Sequence, residues 1–460
     1  MRDIKDTLLH TINDTVTKNR FFTTYFGGLY TRIMKSSLWK GAFMMGSGAA
    51  IAQAIGVLAL PVITRLYSPS DFGILGLFIS IVTILLAVTS LGYEFAIPLP
   101  KQERGSFHLC VLCFVILVSI CALLSVIMAV SGSYIADVFK IQAILPYFWV
   151  IILGLLFSGT YTILNYWATR QRDYATITHT RINQSVSGVI AKISLGALFA
   201  GPIGLLIGQI FINAAGIGTI GKKFWKTNKN YVHVSVDNLK QVARKYWDFP
   251  VFSVPAQLIS RIGLQLPVIA LSAIYGTDVT GLYVLSYSMV TLPASLISGS
   301  IAQSFYAETA RIIRENPSIL MHQFTETVKK LSYISVPLIV IPSLISPFLF
   351  PIVFGNSWKD AGIYVLPLVL VAVSSFIVVP TSKLALFGCN HWEFGFHVAR
   401  TSLLIFGFFI AYTLHFTPFS ALVLYGSLMM VSYGVLLLLN IVAIQRTVLS
   451  SGNSGQEFTE

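Results

Sequence analysis

Apolar stretches of about twenty residues, broken by short polar segments, recur along almost the whole chain. At 1.5 Å of rise per residue, twenty helical residues cross roughly 30 Å of hydrocarbon. The pattern predicts membrane helices at 41–64, 72–92, 107–131, 145–168, 182–200 and 202–220. A second series is expected at 251–274, 280–303, 331–354, 361–384, 398–415 and 418–443. The runs do not alternate apolar with polar and are about twice the length of a membrane β-strand, which excludes a barrel. The expected fold class is an all-α integral membrane protein of about twelve transmembrane helices.

The longest connection, GKKFWKTNKNYVHVSVDNLKQVARKYWDF, covers residues 221–249 and divides these helices six and six. The two sets echo each other. LPVI occurs at Leu60–Ile63 and again at Leu266–Ile269, each preceded by an Ala-Gln pair (Gln53, Gln257). Each is followed by a tyrosine (Tyr67, Tyr275), an aspartate (Asp71, Asp278) and a glycine (Gly73, Gly281). Because six is even, such repeats run the same way through the membrane, as two six-helix lobes about an axis along the membrane normal. The expected organisation is a lead-in (1–40), an N-lobe (41–220), a basic linker (221–249), a C-lobe (250–445) and a polar tail (446–460).

Composition agrees: 55% of the 460 residues are hydrophobic and 11% charged, and the mean hydropathy is +0.76. A soluble chain of this length needs far more charge to cover its domains. With the N-terminus inside, 26 of the 31 Lys and Arg fall in inner segments, Arg400 counted among them, and only Arg65, Lys140 and Lys359 fall outside. The net charge of +13 therefore follows from retention of basic residues on the cytoplasmic side, and no nucleic-acid partner is expected. The first 40 residues lack the apolar core and small-residue cleavage site of a signal peptide, so both termini are expected in the cytoplasm.

Motifs for catalysis do not assemble. GIGTIG at Gly216–Gly221 has dinucleotide-binding spacing but ends a membrane helix and follows no strand. Cys110 and Cys113 stand inside a membrane run with no second pair, so neither a metal nor a cofactor is expected. Gly204 and Gly208 read as a helix-packing pair. No outer connection exceeds about fifteen residues, leaving no room for an extracytoplasmic catalytic domain. The chain is expected to be a transporter and no enzyme.

Two cations lie within the predicted spans, Lys192 and Arg261, both near mid-depth. A charge there costs about 2.5–3.5 kcal/mol on insertion scales, so each must face protein, water or a ligand. No carboxylate is expected at the same depth, and the bland partner for Arg261 is backbone carbonyls or water. The polar lining of an interior path would be Gln53, Asn165, Gln209, Asn213, Gln257 and Gln265, each of which also serves as a helix-to-helix hydrogen bond. Arg65 and Asp71 bracket the first outer turn as a salt bridge or gate, and Glu94 is expected to pair with Lys101 or Arg104.

The short connections TRLYSPSDFG (64–73), LGYEFAIPLP (91–100), LNYWATRQRDY (164–174) and FGNSWKDAGIY (354–364) resemble the bacterial polysaccharide flippases of the Wzx type over roughly residues 36–445. That family belongs to the larger group containing multidrug extruders and lipid II flippases. The resemblance implies a two-lobed bundle in the bacterial inner membrane that passes an undecaprenyl-pyrophosphate-linked oligosaccharide to the outer leaflet, for O-antigen or capsule assembly. Membrane lipid, a coupling ion (proton or sodium) and other polysaccharide-assembly proteins are the partners it implies. On that reading Arg261 holds the diphosphate, with Lys192, Gln53, Gln257, Gln209 and Asn213 lining the path. Two other readings stand beside it: a drug or cation extruder, which would carry a deep acidic residue, and a membrane-embedded glycan polymerase or ligase, which would need a large outer loop.

Overall fold

The computed structural model describes residues 37–454 except 200, 232 and 233. Most of the expected lead-in and the last six residues of the tail lie outside the described residues. No strand occurs among those described. The helices are α1 (Ser37–Leu66), α2 (Pro69–Leu85), α3 (Glu103–Val138), α4 (Phe148–Arg170), α5 (Tyr174–Leu198) and α6 (Ile203–Asn228), followed by a short α7 (Val236–Lys245). The second series is α8 (Val254–Glu315), α9 (Leu320–Ser335), α10 (Ile341–Phe354), α11 (Lys359–Thr381), α12 (Asn390–Thr413) and α13 (Pro418–Ser454). Nine helices among the described residues are long and apolar enough to cross a membrane.

α8 is not one straight rod. Gly276 adopts φ 87°, ψ 177°, a conformation open to glycine because it has no Cβ. A Cβ placed on Gly76 of α2 would lie 2.6 Å from Val284 and 3.4 Å from Val268. Those valines would stand about 24 Å apart on a continuous helix, so the chain folds back at Gly276 into two arms, 254–275 and 277–315. Both arms rest on α2.

α1 packs on α5, α5 and α4 on α6, and α3 on α4; α8 packs on α11 and α12, and α13 on α11 and α12. The α2–α8 seam joins these two sets. Its closeness comes from missing side chains: a Cβ on Gly73 would meet the Thr277 carbonyl at 2.0 Å, and one on Gly281 the Pro69 carbonyl at 1.7 Å. The approach is reciprocal between the two echoed stretches. Their tyrosines also act alike, Tyr67 donating to the Lys192 carbonyl on α5 and Tyr275 to the Phe416 carbonyl after α12, both at 2.8 Å.

Several boundaries differ from expectation. The second helix ends at Leu85, and residues 86–96 turn back through the protein instead of completing a span to 92. The fifth begins at Tyr174 and the eleventh at Asn390, eight residues before each expected start. The linker is partly helical: α6 continues to Asn228, and α7 lies against α3.

Candidate functional site

The seam holds Arg261, half-buried on the first arm of α8. Its Nη1 donates to the Thr83 carbonyl at 2.9 Å, and Nη2 to Gln257 Oε1, one turn earlier, at 3.3 Å. The last carbonyls of a helix have no partner within it. The turn after α2 takes up those of Val82, Ile84 and Leu85, and Arg261 takes that of Thr83. A cation suits the negative end of the helix dipole. Gln265, one turn outward, accepts from Ser80 Oγ at 3.1 Å, so a ladder of polar contacts runs up the seam.

Glu94 is a buried carboxylate that the sequence did not place inside the protein. The chain reverses after α2 through Leu91 and Gly92, both at positive φ, and enters the short turn Tyr93–Ala96. That reversal carries Glu94 into the protein, where it is 2% exposed and accepts from Ser90 Oγ at 2.5 Å. No ion pair joins Glu94 to Lys101, Arg104 or Arg261 among the described residues.

The other expected lining residues form separate groups. Lys192 Nζ donates to Gln209 Oε1 at 2.9 Å. Gly208 accommodates the lysine stem, and Gly204 lies against Tyr67 and Leu195, so this glycine pair serves α5–α6 packing as expected. Lys192 stands six residues before the end of α5, about 9 Å from that terminus. Asn213 donates to Ser158 Oγ at 2.6 Å, and Gln53 of α1 reaches Ser295 Oγ at 3.1 Å and the Leu292 carbonyl at 3.3 Å on the second arm of α8. Asn165 Oδ1 is buried without a hydrogen-bond partner. Arg65 and Asp71 form no ion pair among the described residues: Asp71 closes a capping box with Ser68 at the start of α2.

Arg400 was expected at the inner surface. It is instead 4% exposed on α12, set against Gly263 and the Phe396 ring, with Nη2 near the Ser260 carbonyl and Nε without a partner. The polar, aromatic start of that helix, NHWEFGFHV, resembles a loop and hid it.

The end of the seam at the start of α2 is shut. Trp358 is fully buried, donates to the Thr64 carbonyl at 3.0 Å and meets the edge of Phe72 at 4.8 Å, and Ser70 pairs with Thr277 at 2.6 Å. Toward the other end, the second arm of α8 presents Ser300, Gln303, Ser304 and Tyr306 as exposed residues. There the Tyr93 hydroxyl holds the Ala243 carbonyl of α7 at 3.2 Å.

Residues 62–362 match the family described as "Polysaccharide biosynthesis protein". The chain is 21% identical over 268 residues to the teichuronic acid biosynthesis protein TuaB of Bacillus subtilis (strain 168), a match covering 57% of this chain and 54% of that protein, so it spans about half the length of that relative. Among solved structures, it is similar to a multidrug resistance MATE family transporter of the MOP superfamily in its inward-facing conformation, with TM-score 0.66, 14% identity and 88% and 98% of the two chains covered. The outward-facing conformation gives TM-score 0.56 at 13% identity, covering 89% and 96%. A MOP superfamily transporter from Pyrococcus furiosus, described as having a binding pocket of reverse polarity, gives TM-score 0.52 at 15% identity, covering 89% and 96%. The fold is that of these membrane transporters.

Proposed function

Because the chain belongs to the polysaccharide biosynthesis protein family, we propose that it is a flippase for an undecaprenyl-pyrophosphate-linked oligosaccharide in the bacterial inner membrane. The isoprenoid tail stays in the bilayer while the diphosphate and glycan cross from the inner to the outer leaflet through the seam between two lobes, residues 41–220 and 250–445. The nine apolar helices, together with α2, α5 and the second arm of α8, make twelve crossings, with both termini and the 221–249 linker in the cytoplasm. The shut outer seam and the exposed inner half of that arm correspond to a state open toward the cytoplasm. The product feeds O-antigen, capsule or a related surface polysaccharide, beside other membrane proteins of its assembly, with a proton or sodium ion as the coupling ion.

Arg261 carries this reading. It is a guanidinium at the lobe seam whose two hydrogen bonds go to neutral acceptors, and a planar fork of donors suits two phosphate oxygens at once. Lysine would keep the charge and lose the fork. In a strain lacking its own flippase, Arg261→Ala at native expression is expected to abolish surface glycan and Arg261→Lys to restore part of it. Normal surface glycan with Arg261→Ala would make the arginine structural.

A cation extruder remains the second reading because one observation favours it: Glu94 is a buried carboxylate, as that class requires. Titration of the purified protein with tetraphenylphosphonium beside a lipid diphosphate separates the two readings.

A further inference from the structure

A group of cations without acidic partners lies at the end of α6 that passes into the linker. Lys222, Lys226 and Lys229 are exposed there, and no ion pair among the described residues includes them. Their neighbour Lys223 is the contrast: it turns to the start of α5 and bonds Asp173 at 2.7 Å. With Trp225, 59% exposed, and Gly218 and Gly221, the three lysines line an open hollow of about 580 Å³ on the helix surface. The glycines keep that surface low. A Cβ on Gly218 would meet nothing within 4 Å, and one on Gly221 only Leu164 at 3.8 Å.

The stripe continues into the apolar part of the helix. Phe211, Gly218, Lys222, Trp225 and Lys229 follow one another at intervals of seven, four, three and four residues, which keeps them on one helix face. Phe211 is exposed on it. α6 has 26 residues, about 39 Å at 1.5 Å per residue, of which roughly 30 Å crosses hydrocarbon. Counted from Ile203, the edge of the apolar layer falls near Lys222. One face thus offers apolar surface within the bilayer, an indole at its boundary and cations beside and beyond it. A phospholipid presents its chain, glycerol and phosphate in the same order.

We propose that this face of α6 docks an anionic phospholipid, with the phosphate and its headgroup among Lys222, Lys226 and Lys229, the glycerol beside Trp225 and an acyl chain along Gly218 and Phe211. Charge complementarity selects the lipid: three cations with no carboxylate among them favour a net negative headgroup over a zwitterionic one, whose ammonium they repel. The tryptophan sets the depth, as indoles do at a membrane boundary. The inference goes beyond the flippase reading and is independent of Arg261, which lies on α8 at the seam. It places bound lipid where α6 enters the linker.

The test is binding of a fluorescent phosphatidylglycerol to the full-length protein in a neutral detergent, with phosphatidylcholine of the same chains as the zwitterionic control. Wild type is expected to bind phosphatidylglycerol about tenfold more tightly than phosphatidylcholine, and raised salt to narrow that gap. Lys222→Gln/Lys226→Gln is expected to lose about tenfold in phosphatidylglycerol affinity, with Trp225→Ala intermediate. Arg311→Gln/Lys330→Gln removes the same charge from cations already paired with Glu308, Glu315 and Glu326, and stays at the wild-type value. Equal affinity of wild type for the two lipids, unchanged affinity in Lys222→Gln/Lys226→Gln, or an equal loss in the two double variants overturns the proposal. Farnesyl diphosphate is the competitor: displacement of phosphatidylglycerol by it at equal concentration would assign the stripe to an isoprenoid diphosphate and overturn the phospholipid.

Discussion

Arg261 and Lys192 are both cations inside apolar helices, and the structure treats them differently. Lys192 is held within one set of helices: Gln209 takes its ammonium, Gly208 its stem, and Tyr67 its backbone carbonyl. Arg261 lies between the sets, donating to the Thr83 carbonyl of α2 and to Gln257 on its own helix. An element that moves against its neighbour can use a charge at the shared surface, while a charge enclosed within one packed set moves with that set and contributes mainly to its internal order. The residue type is similar, and location in the assembly decides the function.

The sharpest way to break this comparison is to neutralise each cation in turn. Arg261→Gln should reduce surface glycan export to background, whereas Lys192→Gln should weaken it only several-fold, both at native membrane levels checked by immunoblot. Equal defects would mean that depth alone matters. The second prediction tests the shut outer end: Trp358→Ala removes a fully buried indole and its hydrogen bond to Thr64, and should cost about 3–5 kcal/mol in the closed form. The readout is a lower thermal unfolding midpoint in detergent, together with cysteine labelling that becomes accessible near Thr64.

Gly281→Ala comes next. Its Cβ would lie 1.7 Å from the Pro69 carbonyl, so the arms of the seam must part, at a cost of about 1–3 kcal/mol. Gly434, with open space around it, is the control whose change to alanine should leave the midpoint in place. The smallest effect is at the start of α5, where Asp173 caps the helix and accepts from Lys223 at 2.7 Å. Burial alone would raise its pKa, but the hydrogen bonds from Lys223 and Thr176 outweigh it and hold the carboxyl below its ordinary range. Its contribution is thus present above the ordinary carboxylate value and is lost as pH falls through the lower folded one. Asp173→Asn should cost about 1 kcal/mol at pH 7 and progressively less as pH falls below the ordinary carboxylate range.

Much of the fold is legible in the sequence because membrane crossing imposes one dominant signal, a run of about twenty apolar residues. The hairpin at Gly276, the echo around LPVI and the packing glycines at 204 and 208 follow from that signal and from side-chain size. The site is less legible, because burial of a polar residue depends on which way a turn folds. Glu94 follows an apolar run and looks like a surface carboxylate at a membrane edge; only the early end of α2 and the left-handed Leu91–Gly92 reversal carry it inward. Arg400 was hidden by the polar start of its helix. Depth along a helix can be counted from sequence, but the position of a helix relative to the seam cannot.

The central claim is that Arg261 at the seam carries a lipid-linked diphosphate across the membrane, and it is tested most directly by reconstitution. Purified protein in proteoliposomes is loaded with a fluorescent undecaprenyl-pyrophosphate-linked sugar, and outward exposure is followed by lectin or quencher access. The account predicts translocation by the wild type, none above empty vesicles by Arg261→Ala, and an intermediate rate by Arg261→Lys. Translocation by Arg261→Ala at the wild-type rate, with equal protein incorporated, would contradict it.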